Sequence, residues 1–89
     1  MMYAIKIVEC PDGSQNESCG KFLMDCDFEA REGRGEIGVC ENIFDAMHFD
    51  SLLHAVSYWR TQSTTVPRRP TDGKPNRPLT AYSVKFEKV

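Results

Sequence analysis

Residues 3–9, Tyr-Ala-Ile-Lys-Ile-Val-Glu, alternate with a period of two and carry the β-branched Ile5, Ile7 and Val8. That is the pattern of a half-buried strand with Tyr3, Ile5 and Ile7 toward a core. Cys10-Pro11-Asp12-Gly13 follows with turn chemistry, since proline fixes φ and glycine accepts a positive one. Beyond a polar loop over 14–20, a second strand is expected at 21–28, with Phe22, Met24 and Cys26 on one face and Leu23 on the other. The two strands make an antiparallel pair. Gly33-Arg34-Gly35 reads as a flexible turn, and a third strand is predicted over 36–41 with Ile37 and Val39 on one face. Gly38 within it marks a weak point, a bulge or a close approach.

Residues 42–49 hold apolar groups without clean periodicity, which predicts a short turn and then a brief extended stretch. The main helix is expected over about 51–62. Asp50 or Ser51 can cap its first free amides, and Leu52, Ala55, Val56 and Trp59 recur at i, i+3, i+4 and i+7. Trp59 is therefore read as a core residue whose indole N–H needs a partner. Residues 63–78 lose all periodicity and hold Pro67, Pro70, Pro75, Pro78 and Gly73, and loops of that length tend to carry function. Residues 79–89 alternate again, with Thr80, Tyr82, Val84 and Phe86 toward the core. The whole predicts an α+β fold: a small antiparallel sheet in the order β-β-β-α-β, packed against one amphipathic helix in a single domain, 1–89.

The 40 % apolar and 27 % charged residues of the 89 are enough for one modest core and leave little room for a deep cleft. The opening residues show no basic leader or cleavage site, and no apolar run nears the ~20 residues of a membrane span. The expectation is a cytoplasmic protein, with Cys10, Cys19, Cys26 and Cys40 as thiols rather than disulfides. Their spacing lacks the close C-x2–4-C pairing that presents two thiolates to one metal. No cofactor is expected, and a zinc-stabilised domain is conceivable only by long-range assembly.

Charge is informative when split. Residues 1–50 hold eleven acids and four bases, and residues 51–89 hold two acids and seven bases. The halves thus carry −7 and +5, which either steers a partner or pairs internally when they fold together.

Catalytic signatures are absent from this reading: no cysteine is singled out as a nucleophile beside His48 or His54, and Gly33-Arg34-Gly35 lacks the lysine and helix start of a phosphate loop. Two groups of residues remain as binding candidates. Asp25, Asp27, Glu29 and Glu32 form an acidic set around the second strand, able to imitate a phosphate backbone or simply to face water. Arg68, Arg69, Lys74 and Arg77 lie in the proline-studded loop, where guanidinium forks can meet carboxylate or phosphate. Against nucleic acid stand the acidic balance of the chain and the lack of aromatics in the loop for base stacking.

The run Arg69-Pro-Thr-Asp-Gly-Lys-Pro-Asn-Arg-Pro-Leu-Thr-Ala-Tyr82, with Tyr3-Ala4-Ile5-Lys6-Ile7, Phe22-Leu23, Gly33-Arg34-Gly35, Ala46, Phe49, Ala55 and Trp59, resembles small proteins encoded by bacteriophages and prophages of proteobacteria. That resemblance supplies no activity, cofactor or catalytic residue. It implies a class: a non-enzymatic binder of one host protein or defence complex, including inhibitors of the anti-CRISPR kind. A nucleic-acid-binding accessory protein using the basic loop is the alternative.

Overall fold

The computed structural model describes residues 1–13 and 16–89; Ser14 and Gln15, in the polar loop, lie outside the described residues. Four strands form one antiparallel sheet: β1 (Tyr3–Glu9), β2 (Phe22–Asp27), β3 (Glu36–Cys40) and β4 (Ser83–Lys88), in the spatial order β3-β2-β1-β4. A helix, α2 (Leu52–Trp59), covers one face. A single tight turn, α1 (Ala30–Gly33), joins β2 to β3. This is the α+β architecture that the alternation and the helical stripe predict.

The first strand is central and fully hydrophobic where it counts: Ala4, Ile5 and Ile7 are all 0 % exposed. Ile5 stands opposite Phe86 and Ile7 opposite Val84, so the inward set of β4 completes the face that β1 begins. Leu23, Phe49, Ala55 and Leu79 join Ile5 in the buried cluster. On the other face Lys6 pairs with Phe22, reaches 5.8 Å over its ring and lies 3.9 Å from Glu87.

Three expectations are corrected. In β2 the pairing slips between Leu23 and Asp25, so one extra residue enters and the alternation changes phase. Leu23 and Cys26 therefore share the core-facing side, where strict alternation sets them on opposite faces, and Met24, the residue left over at the slip, is exposed. In the helix, Leu52 is 47 % exposed although it opens the apolar stripe. Its place over the sheet is taken by Phe49, 3 % exposed, which bridges Tyr3 and packs its ring at a tilt against Tyr58, 5.2 Å between centroids. The final strand begins at Ser83 rather than 79, because Pro78–Ala81 forms a 3₁₀ turn that buries Pro78 and Leu79 and leaves Thr80 exposed.

Elsewhere the local chemistry is as read. Ser51 caps α2, its hydroxyl accepting from the His54 amide at 3.0 Å. Residues 43–45 make a 3₁₀ turn capped by Asn42, and Phe49 then extends against Tyr3. Gly38 is a close approach: the Asp25 side chain lies where a β-carbon would stand.

Candidate functional site

The loop 63–78 is built as a shaped excursion anchored at both ends. Ser63 is 1 % exposed and Pro78 is buried. Between them the chain folds back on itself, with Asn76 N–H donating to Pro67 O and Arg69 N–H to Lys74 O, both at 2.9 Å. Gly73, at φ +71, closes the tip.

What holds this excursion to the sheet is a carboxylate. Glu29, just after β2, accepts from the hydroxyls of Ser63, Thr64 and Thr65 and from the amides of Thr64 (2.8 Å) and Thr65 (3.0 Å). Those donors, the Ser63 hydroxyl first, hold its carboxyl well below the usual carboxylate range. Asn76 is the second strut. Its side-chain amide donates to Gly33 O at 2.7 Å and Val66 O at 2.9 Å, and its backbone oxygen accepts from Ser63 N–H. The glycines of the 33–35 segment let the two parts touch: a β-carbon on Gly33 would sit 2.6 Å from Val66 Cβ, and one on Gly35 would sit 2.7 Å from Pro78 Cβ. That segment is a close-packed joint rather than a flexible turn. Before it, Arg31 and Glu32 both adopt positive φ, 52° and 57°, a conformation costing roughly 1 to 2 kcal/mol for each L-residue.

Between the loop, the 33–35 segment and the 3₁₀ turn lies a cleft of about 360 Å³. Arg34, Arg69 and Arg77 line it, and none of its lining residues is acidic. Pro11, Pro78 and Ala81 give it an apolar wall, and Thr80 a polar rim. Among the described residues, the guanidinium groups of Arg34 and Arg77 have no ion-pair partner; Arg69 Nε lies 3.9 Å from Asp72. Flanking depressions share Arg34. One adds Arg31, Asp12 and Tyr82, and the other adds Glu32.

The candidate residues named from the sequence are thus dispersed. Arg69 and Arg77 come together in the cleft. Arg68 braces the excursion, donating to Gly73 O at 2.9 Å, and Lys74 is exposed near the tip. Asp25 and Asp27 are exposed on the sheet beside Glu36, Glu29 is engaged by residues 63–65, and Glu32 borders the cleft's neighbour. Arg34 and Asn76 were not singled out by the sequence. Arg34 stands between the two glycines, and only the packing of those glycines against Val66, Asn76 and Pro78 places it in the lining of one cleft with Arg69 and Arg77.

Two of the thiols are shifted toward the protonated form: burial and the nearby Asp27 and Asp25 push Cys26 up to about 12, and burial, then the Cys19 thiol, raises Cys10. Among the described residues no cluster of three or more His, Cys, Asp or Glu is arranged to hold a metal ion. None of the helices among them is long and apolar enough to cross a membrane. Comparison with protein-family models, with curated proteins and with solved structures finds no match to this chain.

Proposed function

We propose that this chain is a non-enzymatic binding protein of the phage-encoded kind, which docks on an acidic surface of a host protein through the face formed by Arg34, Arg69 and Arg77. The observation that carries the reading is a division of labour within loop 63–78. Its ties are made by the Glu29 carboxylate, the Asn76 amide, the Arg68 guanidinium and backbone groups, while among the described residues the guanidinium groups of Arg34 and Arg77 are left without a counter-charge. A preformed loop loses little conformational entropy on binding, which favours recognition by a pre-set surface. Guanidinium ions bind anions at neutral pH without exchanging protons, so this face suits recognition rather than acid–base chemistry.

The ion pairs support the same reading. Lys21–Glu41, Arg31–Glu36 and Arg69–Asp72 each lie within one half of the chain, Lys6–Glu87 joins a base of the first half to an acid of the second, and the histidine pair His54–Asp50 spans the boundary at the start of α2. Among the described residues no lysine or arginine of residues 51–89 pairs with an acid of residues 1–50, so most of the charge asymmetry is available to a partner. The likeness of residues 69–82 to phage proteins supports a bacterial host partner, a defence complex of the CRISPR type among them.

The test is affinity capture from bacterial lysate with the intact chain and with an Arg69→Glu, Arg77→Glu variant. The expected outcome is a partner held by the intact chain, released by added salt and lost in the variant at unchanged melting temperature. Capture that survives both charge reversals would remove the reading. Retardation of nucleic acid by the intact chain, with a steep salt dependence, would replace the protein partner with a polynucleotide.

A further inference from the structure

We infer that the Arg34–Arg69–Arg77 cleft is a binding site for a phosphomonoester group. The inference rests on the reading of this face as the binding surface and names what enters it. The cleft proper has three guanidinium-bearing walls and no carboxylate, in a chain with thirteen acids against eleven bases. Nearby acids temper this field without filling the cleft: Asp72 lies 3.9 Å from Arg69 Nε, and Glu32 and Asp12 border the flanking depressions.

Charge and valence select the ligand. One carboxylate brings a single negative charge and two oxygens, and so leaves at least one of the guanidiniums unmatched. A phosphomonoester brings about −1.5 to −2 charges at neutral pH and three strongly accepting oxygens, one for each arginine. Planar guanidinium forks fit the O–P–O edge in a bidentate manner.

Size and lining agree. About 360 Å³ is near the lower end of small-ligand sites, roughly 300 to 1,000 Å³. It admits a phosphoryl group with a short carbon stem, and Pro11, Pro78 and Ala81 offer that stem an apolar wall. Pre-organisation is supplied from behind: the Asn76 amide, committed to Gly33 O and Val66 O, fixes the spacing between the segment that carries Arg34 and the loop that carries Arg69 and Arg77.

The phosphoryl group can come from a phosphorylated side chain of the partner or from a small phosphorylated metabolite, and the experiment separates them. Inorganic phosphate is titrated into the intact protein at constant ionic strength while the arginine Nε–Hε resonances are followed, with sodium chloride as reference. A neutral peptide containing phosphoserine, its unphosphorylated counterpart and glucose 6-phosphate are then compared. The expected result is saturable movement of the Arg34, Arg69 and Arg77 signals with phosphate and not with chloride. An Arg34→Gln, Arg77→Gln variant should weaken binding by about tenfold or more, and Lys88→Gln, on β4, should leave it unchanged. Tighter binding of the phosphopeptide assigns the group to a protein partner, and tighter binding of the sugar phosphate assigns it to a metabolite. Absence of saturable movement, or equal binding by the arginine variant, overturns the inference. In that case retained capture of a lysate partner would leave the docking surface intact without a phosphate site.

Discussion

Glu29 accepts five hydrogen bonds from three consecutive residues 34 to 36 positions away. Because its folded carboxyl ionises more readily than the ordinary value near 4.5, its contribution to stability is fully present above that pH. It is lost progressively as the pH falls below it. Glu29→Gln should therefore flatten the acid limb of the stability curve, melting at the same temperature at pH 4 and pH 7 more nearly than the parent does. Trp59 poses the opposite case: its indole nitrogen is buried and has no hydrogen-bond partner among the described residues, while its ring meets Phe86 edge-on at 6.1 Å. An unmade buried hydrogen bond costs about 1 to 3 kcal/mol, so Trp59→Phe is expected to change unfolding free energy by under about 1 kcal/mol in a urea titration. Trp59→Ala, which also empties space, should cost about 2 to 4 kcal/mol. The roles of Ile5, Ile7, Ala55 and Ser51 are readable from periodicity and capping rules, since their partners lie nearby in sequence or follow from the pleat. Those of Glu29 and Asn76 are not, because a carboxylate and an amide look alike on a loop and in a strut until the distant donor or acceptor is placed.

Among the elements, β1 and the cap of α2 follow directly from local pattern, whereas β2 does not. One slipped residue leaves Met24 exposed and brings Cys26 to the same face as Leu23, and a slip is set by pairing with β3 rather than by any residue type within the strand. The helix is likewise legible in kind but not in footprint. Tyr58 and Trp59 pack at its end, while Leu53 remains 77 % exposed and Phe49, ahead of the cap, fills the position Leu52 was expected to hold. The loop 63–78 shows irregularity in its prolines, yet the ties that shape it involve Ser63, Thr64 and Thr65, which carry no periodic signal. Its joint with the 33–35 segment gives a direct check. Gly33→Ala would place a methyl group 2.6 Å from Val66 Cβ at φ +85, and is expected to cost roughly 2 to 3 kcal/mol through strain and crowding. The companion measurement is amide hydrogen exchange, which should accelerate at Thr64, Thr65 and Asn76 before it does at Ile5 or Ile7.

For the molecule as a whole, the sheet order β3-β2-β1-β4 sets the first of the four strands beside the fourth. Tyr3 to Glu9 pairs with Ser83 to Lys88 over a register of six residue pairs, but among the described residues it meets the β2 side more briefly, at Lys6–Phe22 and through backbone bonds of Ile7 with Lys21 and Gly20. A nascent chain emerging from the ribosome thus exposes β1 with one flank open until nearly eighty further residues have been added, and the wait is spent with Ile5 and Ile7 uncovered. Closure between sequence-distant segments is slow compared with helix formation. The sheet should accordingly close only once residues 83–88 are free to pair, in one late concerted step, and until then that open flank is prone to pair with a neighbouring copy.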